Sequence, residues 1–160
     1  MGEIAKLLPR ANIVTGLDVA GKAQLFTAIG EVFERGSGLA RAGVAASLAA
    51  REKLGSTGLG QGVAIPHGRI KGLREPVGAY ARLLHPIGFD APDGKPVTQS
   101  FVLLVPADAN ERHLELLSEL AQMFSDRAFR ERLANAANAD DIAALFDGWH
   151  GGQVLPFASR

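Results

Sequence analysis

The sequence predicts a single α/β domain in which one mixed β-sheet carries helices on both faces. The run Phe101–Val105 is apolar without interruption and is closed by Pro106, which is typical of a central strand covered on both sides. Other segments repeat apolar residues at helical spacing. Strand and helix segments alternate irregularly along the chain, and this favours a mixed sheet over a purely parallel one.

The helices are predicted from apolar spacing and capping residues. We expect Asp18 to N-cap a first helix that runs to about Arg35. An alanine-rich second helix covers about 39–54. Asp108 is expected to N-cap a third, with Glu111 completing a capping box and with Leu114, Leu117, Leu120, Ala121 and Phe124 as its buried stripe. The remaining predictions are helices at about 126–133 and 140–149, strands at 63–65 and 77–84, and turns at 85–86 and 91–94.

Composition narrows the class of protein. A chain of 160 residues is long enough to bury about 70% of its unfolded surface, so we expect one domain over 1–150 and a disordered tail at 151–160. The formal net charge is zero, which gives no long-range attraction to nucleic acid or anionic membranes. Without cysteine, disulfides and cysteine-ligated zinc are excluded. No apolar run approaches the ~20 residues of a membrane span and no signal peptide is recognisable, so a cytoplasmic location is expected.

The most informative stretch, residues 55–69, surrounds a short apolar run with glycines and ends near a histidine. Val63–Ile65 is predicted to be a buried strand, and Pro66 fixes φ just before His67. The imidazole should therefore be held rigidly at the end of a strand, beside a glycine loop able to receive an anion. A neutral imidazole can attack phosphorus, and the transition state needs mainly positioning and hydrogen-bond donors. This layout predicts a histidine that carries a phosphoryl group.

Two further side chains are candidates for the same site. Arg51 shares a helical face with Val44 and Leu48, which places it on the core side near the glycine loop. A solvated arginine at a helix C-terminus is almost equally consistent with this position. His113 lies in the first turn of the third helix, where a cationic imidazole is disfavoured, so a neutral His113 facing a phosphate is expected. A histidine at the edge of the core is the alternative.

The residues around His67 resemble a known signature. Glu52, then Leu59-Gly60, then Val63–Gly68 are similar to the signature of the fructose/mannitol/nitrogen class of enzyme IIA in the bacterial phosphotransferase system. The resemblance continues through 89–97, 101–106 and 113–117. The length of the chain and the Gly55-Ser56-Thr57-Gly58 sequence are most similar to the nitrogen-regulatory branch.

This resemblance implies a role for each candidate residue. His67 would accept a phosphoryl group on Nε2 from a small HPr-like phosphocarrier, without a metal or other cofactor, and His113 would orient or stabilise the phosphate. Nitrogen-branch relatives act through contacts with regulatory targets, including potassium-transport and sensor systems. Arg51 matches a family arginine near the phosphate. Together with the loop hydroxyl donors Ser56 and Thr57 and with Gly68, it is predicted to bind phosphate.

The sequence is also compatible with two other functions. A sugar-branch enzyme IIA would use the same histidine to pass phosphate to a IIB cysteine, and a non-catalytic module would only bind an anion. A nucleotide loop is disfavoured because 58–62 is not GxGxxG and no GK[ST] follows. The four histidines lack metal-ligand spacing, and His85 and His150 are expected to be incidental.

Overall fold

The computed structural model describes residues 2–149, and two long antiparallel strands form its centre. These are β5 (Val77–Ile87) and β6 (Val97–Pro106), with Tyr80 opposite Phe101. Residues 101–104 of β6 are fully buried, so the prediction of a central strand here is confirmed. The other strands are β1 (Ile13–Leu17), β2 (Gly58–Gly60), β3 (Val63–Ala64) and β4 (His67–Ile70).

The six strands form one mixed sheet, as predicted. The order is β1-β5-β6-β3-β2, and β4 also pairs with β6. β1 runs parallel to β5 at one edge. On the other side of β6, β3 and β4 follow one another along the same edge, and both run parallel to it. β6 therefore receives two short strands in succession, and the break between them falls immediately before His67.

Helices cover both faces of the sheet. Side chains of β5 alternate, so that Ala79 and Ala81 face the layer of α2 and α3 while Tyr80 packs against the helices of the opposite layer. The helices are α1 (Glu3–Lys6), α2 (Lys22–Ser37), α3 (Arg41–Glu52), α4 (Glu111–Ser125), α5 (Arg127–Asn135) and α6 (Ala139–Asp147), with one 3-10 turn at Arg10–Asn12. Within residues 2–149 no helix has both the length and the apolarity needed to cross a bilayer.

The predicted start of the first helix is wrong. α2 begins at Lys22 after N-cap Gly21, whereas Asp18 is exposed. Residues 18–21 stay outside the helix, and among them Val19 is buried in the core with 6% of its surface exposed. The Gln24 side chain then accepts a hydrogen bond from the Ala20 N–H at 2.8 Å. The helix thus uses a side chain from inside its first turn rather than an N-cap carboxylate.

The third predicted helix also begins later than expected. The Ala109 N–H donates to the Pro106 carbonyl, so Asp108 lies in a turn, and Asn110 is the N-cap of α4. The buried face of α4 also differs from the predicted stripe: Leu120 and Phe124 are buried as predicted, but Leu116 is buried and Leu114 is 52% exposed. The last two helices are confirmed, with Asp126 and Asn138 as caps, and the second of them ends at Asp147. His150 and the tail at 151–160 lie outside the described residues.

Two strand predictions need correction. Ile13–Leu17 is a paired strand that was not among the predicted strands, and the turn predicted at 85–86 does not form. Instead β5 continues to Ile87 with a shift of register after Arg82, which accommodates Pro86 because proline has no N–H for the ladder. The chain reverses at 91–94, where the Gly94 N–H donates to the Ala91 carbonyl at 2.9 Å.

The packing of α2 on α3 predicts opposite effects for two glycines. A methyl group at Gly30 would lie 2.6 Å from the Arg41 carbonyl oxygen, so Gly30→Ala should lower the free energy of unfolding by about 1–3 kcal/mol. At Gly43, in α3, a methyl group would meet no atom within 4 Å. Gly43→Ala should therefore raise the free energy of unfolding by about 0.5–1 kcal/mol, because alanine has the higher helix propensity. Urea unfolding followed by circular dichroism measures both. Stabilisation by both substitutions would contradict the close approach at Gly30.

Candidate active site

His67 is the first residue of β4, at the break between two strands that share the edge of β6. The sequence placed it at the end of the strand that contains Val63; the structure places it at the start of the next. Leu103 is its partner on β6, and the Leu103 N–H donates to the Pro66 carbonyl at 3.0 Å. The backbone on both sides of the imidazole is therefore fixed by the central strand.

Two hydrogen bonds define the protonation of the His67 ring. Nδ1 lies 2.9 Å from the Ile65 carbonyl oxygen, and because a carbonyl can only accept, Nδ1 carries the proton. Nε2 accepts from the Arg51 Nε–H at 3.2 Å. The ring thus holds its lone pair on Nε2, the nitrogen that faces the arginine.

Burial keeps this imidazole neutral. Desolvation lowers the pKa of His67 below its usual value, and the positive charge of Arg51 lowers it further. The hydrogen bond to Ile65 and the carboxylate of Glu52 raise the pKa, but the net shift is downward. Near pH 7 the ring is therefore in the neutral form that a nucleophile requires.

Arg51 reaches the histidine from the last turn of α3. As the helical spacing predicted, Val44 and Leu48 are buried on the same face. The Arg51 guanidinium is held at two points, since its Nη1–H donates to the Gly55 carbonyl at 2.9 Å while Nε–H donates to His67.

His113 is the third residue of α4 and takes part in capping the helix. The Asn110 side chain accepts from the Arg112 N–H at 3.0 Å, and His113 Nδ1 accepts from the Asn110 N–H at 3.3 Å. Because Nδ1 is the acceptor in this contact, a neutral His113 carries its proton on Nε2. The ring can therefore donate a hydrogen bond without becoming a cation.

One cleft of about 460 Å³ brings the two histidines together. Its polar groups include Arg51, His67 and His113, and two exposed leucines, Leu54 and Leu114, also line it. The remaining lining residues are Ser47, Ala50, Gly68, Arg69, Leu103, Val105, Ala109 and Leu117. In the part of the chain that the structure describes, no group of three or more His, Asp or Glu side chains comes together to hold a metal ion.

Gly68 lies in the cleft for a steric reason. A methyl group there would collide with the Ser47 side chain, so glycine permits α3 to approach β4 closely. The Ser47 hydroxyl in turn donates to the Arg69 carbonyl at 2.9 Å. The predicted contact of Gly68 with phosphate stays a prediction, but its backbone is at the cleft.

Ser56 and Thr57, the predicted hydroxyl donors, are placed differently. The Ser56 hydroxyl donates to the Phe89 carbonyl at 2.6 Å, and the Thr57 hydroxyl donates to the Glu52 carboxylate at 2.6 Å. Neither residue lines the cleft. A direct phosphate contact would require either hydroxyl to leave its present acceptor, and this role stays a prediction.

The glycine-rich segment is not the open loop that the sequence predicted. Residues 58–64 form an antiparallel hairpin of β2 and β3, with Gln61 in the left-handed region at its tip (φ 59°). The Gln61 N–H donates to the Asp93 carboxylate at 2.8 Å, so this amide already binds an anionic side chain of the protein. The positive φ values of the glycines serve the hairpin turn.

A buried ion pair next to the site was not predicted. Lys22 Nζ lies 2.8 Å from the carboxylate of Glu52, whose side chain is only 6% exposed. Glu52 belongs to the signature around His67, which could have drawn attention to it. Lys22 comes from α2, and no local pattern in the sequence connects it to the site.

Residues 6–148 match the family described as phosphoenolpyruvate-dependent sugar phosphotransferase system, EIIA 2. The chain belongs to this family. The match confirms the resemblance that was based on the residues around His67.

Several similar relatives have nitrogen-regulatory names. The nitrogen regulatory protein of Pseudomonas aeruginosa is 48% identical over 107 residues, which cover 67% of this chain and 70% of that protein. The nitrogen regulatory protein of Bradyrhizobium diazoefficiens is 35% identical over 142 residues, 89% of this chain and 93% of that protein. The crystal structure of nitrogen regulatory protein IIA-Ntr from Neisseria meningitidis superposes with a TM-score of 0.84 at 50% identity, covering 90% of this chain and 99% of that one. These comparisons confirm the fold class and the likeness to the nitrogen branch.

The contacts of His67 predict how it titrates. Its pKa should lie below the ordinary value of about 6.5, and Arg51→Met should raise it by removing a neighbouring positive charge. In the wild type, the His67 imidazole binds a proton more readily in the unfolded chain than in the folded protein. The free energy of unfolding should therefore fall as the pH drops from about 6.5 toward the pKa of the folded state. NMR titration of the imidazole signals measures the pKa, with His85→Gln to assign the exposed ring. A pKa above 6.5 in the wild type would contradict this account.

Proposed function

We propose that the protein is a phosphorelay regulator whose His67 accepts a phosphoryl group from an HPr-like histidine phosphocarrier. The observation that carries the proposal is the neutral imidazole of His67, with its lone pair on Nε2, in a cleft with Arg51 and His113. Membership of a phosphotransferase family and the similarity to nitrogen regulatory proteins support it. The phosphorylation state would be read by regulatory target proteins.

The transfer step follows from the tautomer. The Nε2 lone pair of His67 attacks phosphorus on the carrier's phosphohistidine, the P–N bond of the carrier breaks, and its electron pair returns to the carrier's imidazole. A new N–P bond forms on Nε2. Positive charge that develops on the His67 ring is stabilised by the Ile65 carbonyl, which accepts from Nδ1–H throughout.

Arg51 has to move during this step. In the unphosphorylated protein the Arg51 Nε–H donates to the His67 Nε2 lone pair, which is the lone pair that must attack phosphorus. The incoming phosphoryl group offers anionic oxygens, which bind a guanidinium more strongly than a neutral nitrogen does. Arg51 can therefore turn from Nε2 to these oxygens while its Nη1–H stays on the Gly55 carbonyl, and His113 Nε2–H supplies a second donor.

Protein partners are expected to dock around the cleft. Leu54 and Leu114 are 84% and 52% exposed beside the polar groups, which offers the carrier an apolar surface with a charged centre. A phosphoryl group on His67 would add negative charge at the middle of this surface and so weaken or create contacts with targets. Potassium-transport and sensor systems are the targets that we propose, and such partners would place the protein in the cytoplasm.

Phosphorylation can be tested directly by mass. After incubation with enzyme I, an HPr-like carrier and phosphoenolpyruvate, the wild type should gain one acid-labile phosphoryl group, and His67→Ala should gain none. His85→Ala, which changes an exposed histidine on β5, is the matched control and should be modified like the wild type. Absence of phosphate on the wild type with an active carrier would favour an anion-binding module. Onward transfer to a sugar-specific IIB cysteine would favour the sugar branch.

The contribution of His113 to phosphoryl transfer can be separated from its contribution to capping α4. Both Gln and Glu at this position can accept from the Asn110 N–H as capping-box residues do, but Glu adds negative charge to the cleft. His113→Gln should lower the transfer rate, and His113→Glu should lower it further, to about 10²–10³-fold below the wild type. Stopped-flow or quenched-flow transfer assays measure the rates. Equal rates in all three proteins would exclude His113 from the transfer step.

A further inference from the structure

We infer that Glu52 and Thr57 are positioning residues, and that the hydrogen bonds between them hold both Arg51 and His67 in place for phosphoryl transfer. The inference rests on the proposed function of His67. It concerns residues that do not line the cleft and therefore act through others.

The Glu52 carboxylate clamps the loop that follows α3. Glu52 is the last residue of the helix, and its carboxylate accepts from the Thr57 hydroxyl at 2.6 Å and from the Thr57 N–H at 3.2 and 3.3 Å. Both residues are buried, with 9% and 6% of their surfaces exposed. Residues 53–56 are thus closed into a short loop whose two ends are joined by a carboxylate.

Arg51 depends on this loop. The Gly55 N–H donates to the Glu52 carbonyl at 3.2 Å, and the Gly55 carbonyl accepts from Arg51 Nη1–H at 2.9 Å. The orientation of the Gly55 peptide therefore sets where the guanidinium is anchored. Gly55 itself has φ 152°, a conformation that only glycine adopts readily, so the loop needs outside contacts to stay in one shape.

His67 depends on the same threonine by a second route. The Thr57 carbonyl accepts from the Ile65 N–H at 2.9 Å, and the Ile65 carbonyl accepts from His67 Nδ1–H at 2.9 Å. His67 is therefore connected to Thr57 through Ile65, and Arg51 is connected to Thr57 through Gly55 and Glu52. A shift of Thr57 would change the Arg51–His67 distance from both sides.

Lys22 completes the clamp from the neighbouring helix. Its ammonium lies 2.8 Å from Glu52 and 3.2 Å from Asp90, and 4.9 Å above the Phe89 ring. The Ser56 hydroxyl donates to the Phe89 carbonyl, so the loop is also tied to this second segment. The buried carboxylate of Glu52 is thereby paired, which a buried charge requires.

The decisive experiment compares Thr57→Val with Thr57→Ser. Valine keeps the shape and removes the hydroxyl without changing any charge near His67, whereas serine retains the hydroxyl. We expect Thr57→Val to lower kcat for phosphoryl transfer by about 10²-fold, with little change in KM for the carrier. In the unphosphorylated protein it should also raise the pKa of His67, because Arg51 is no longer held beside it. Thr57→Ser should restore both quantities.

Other results would overturn the inference. If Thr57→Val slows transfer while the His67 titration and the NMR signal of the Arg51 Nε–H stay unchanged, the hydroxyl contacts phosphate directly. If only the free energy of unfolding falls, the clamp is merely structural. Should Thr57→Val fail to fold, Thr57→Ala removes the same hydroxyl without changing any charge and should shift kcat and the His67 pKa in the same directions. Failure of the wild type to accept phosphate would refute the proposed function alone, since the titration needs no phosphoryl transfer.

Discussion

The hydrogen bond from His67 Nδ1 to the Ile65 carbonyl is the contact on which the proposed chemistry depends. It fixes the tautomer, and with the tautomer it fixes which nitrogen holds the lone pair. The bond joins residues only two apart and spans the break between β3 and β4. This arrangement is possible because β3 and β4 pair in succession with the same long strand, with Pro66 at the break. The sheet therefore places the imidazole where this hydrogen bond favours one orientation of the ring.

The electrostatics of the cleft favour a neutral His67 imidazole and the binding of an anionic group. Arg51 and burial both oppose a proton on His67, and His113 can donate from Nε2 without carrying charge. A hydrogen bond from a guanidinium to a neutral imidazole nitrogen is weak compared with one to anionic phosphoryl oxygens. The hydrogen bond from Arg51 to His67 Nε2 thus holds the guanidinium where the phosphoryl oxygens would bind. Breaking this hydrogen bond costs little free energy once those oxygens are present.

Several elements were predictable because their signals are local. The unbroken apolar run of β6 indicated a central strand, and Asp126 lies before a short amphipathic helix that it caps. Where two local signals competed, tertiary contacts decided. Asp108 and Asn110 can both cap a helix, and the turn that leaves β6 selected Asn110. Pro86 indicates a turn, yet β5 continues through it because a shift of register avoids the missing N–H.

By itself the sequence determined the fold class, the constrained position of His67 next to Pro66, and the side of α3 from which Arg51 emerges. Each of these follows from spacing within one element, or from residue types that only a few backbone conformations allow. The tertiary structure alone decided that Ser56 and Thr57 donate to Phe89 and to Glu52 rather than facing the cleft, and that Lys22 pairs with Glu52. Hydroxyl and ammonium groups donate to whichever acceptor the fold brings near, and Ser56 and Lys22 find theirs on elements distant in sequence. Local patterns therefore specify which groups are available, and the packing of α2, α3 and the sheet specifies what each one binds.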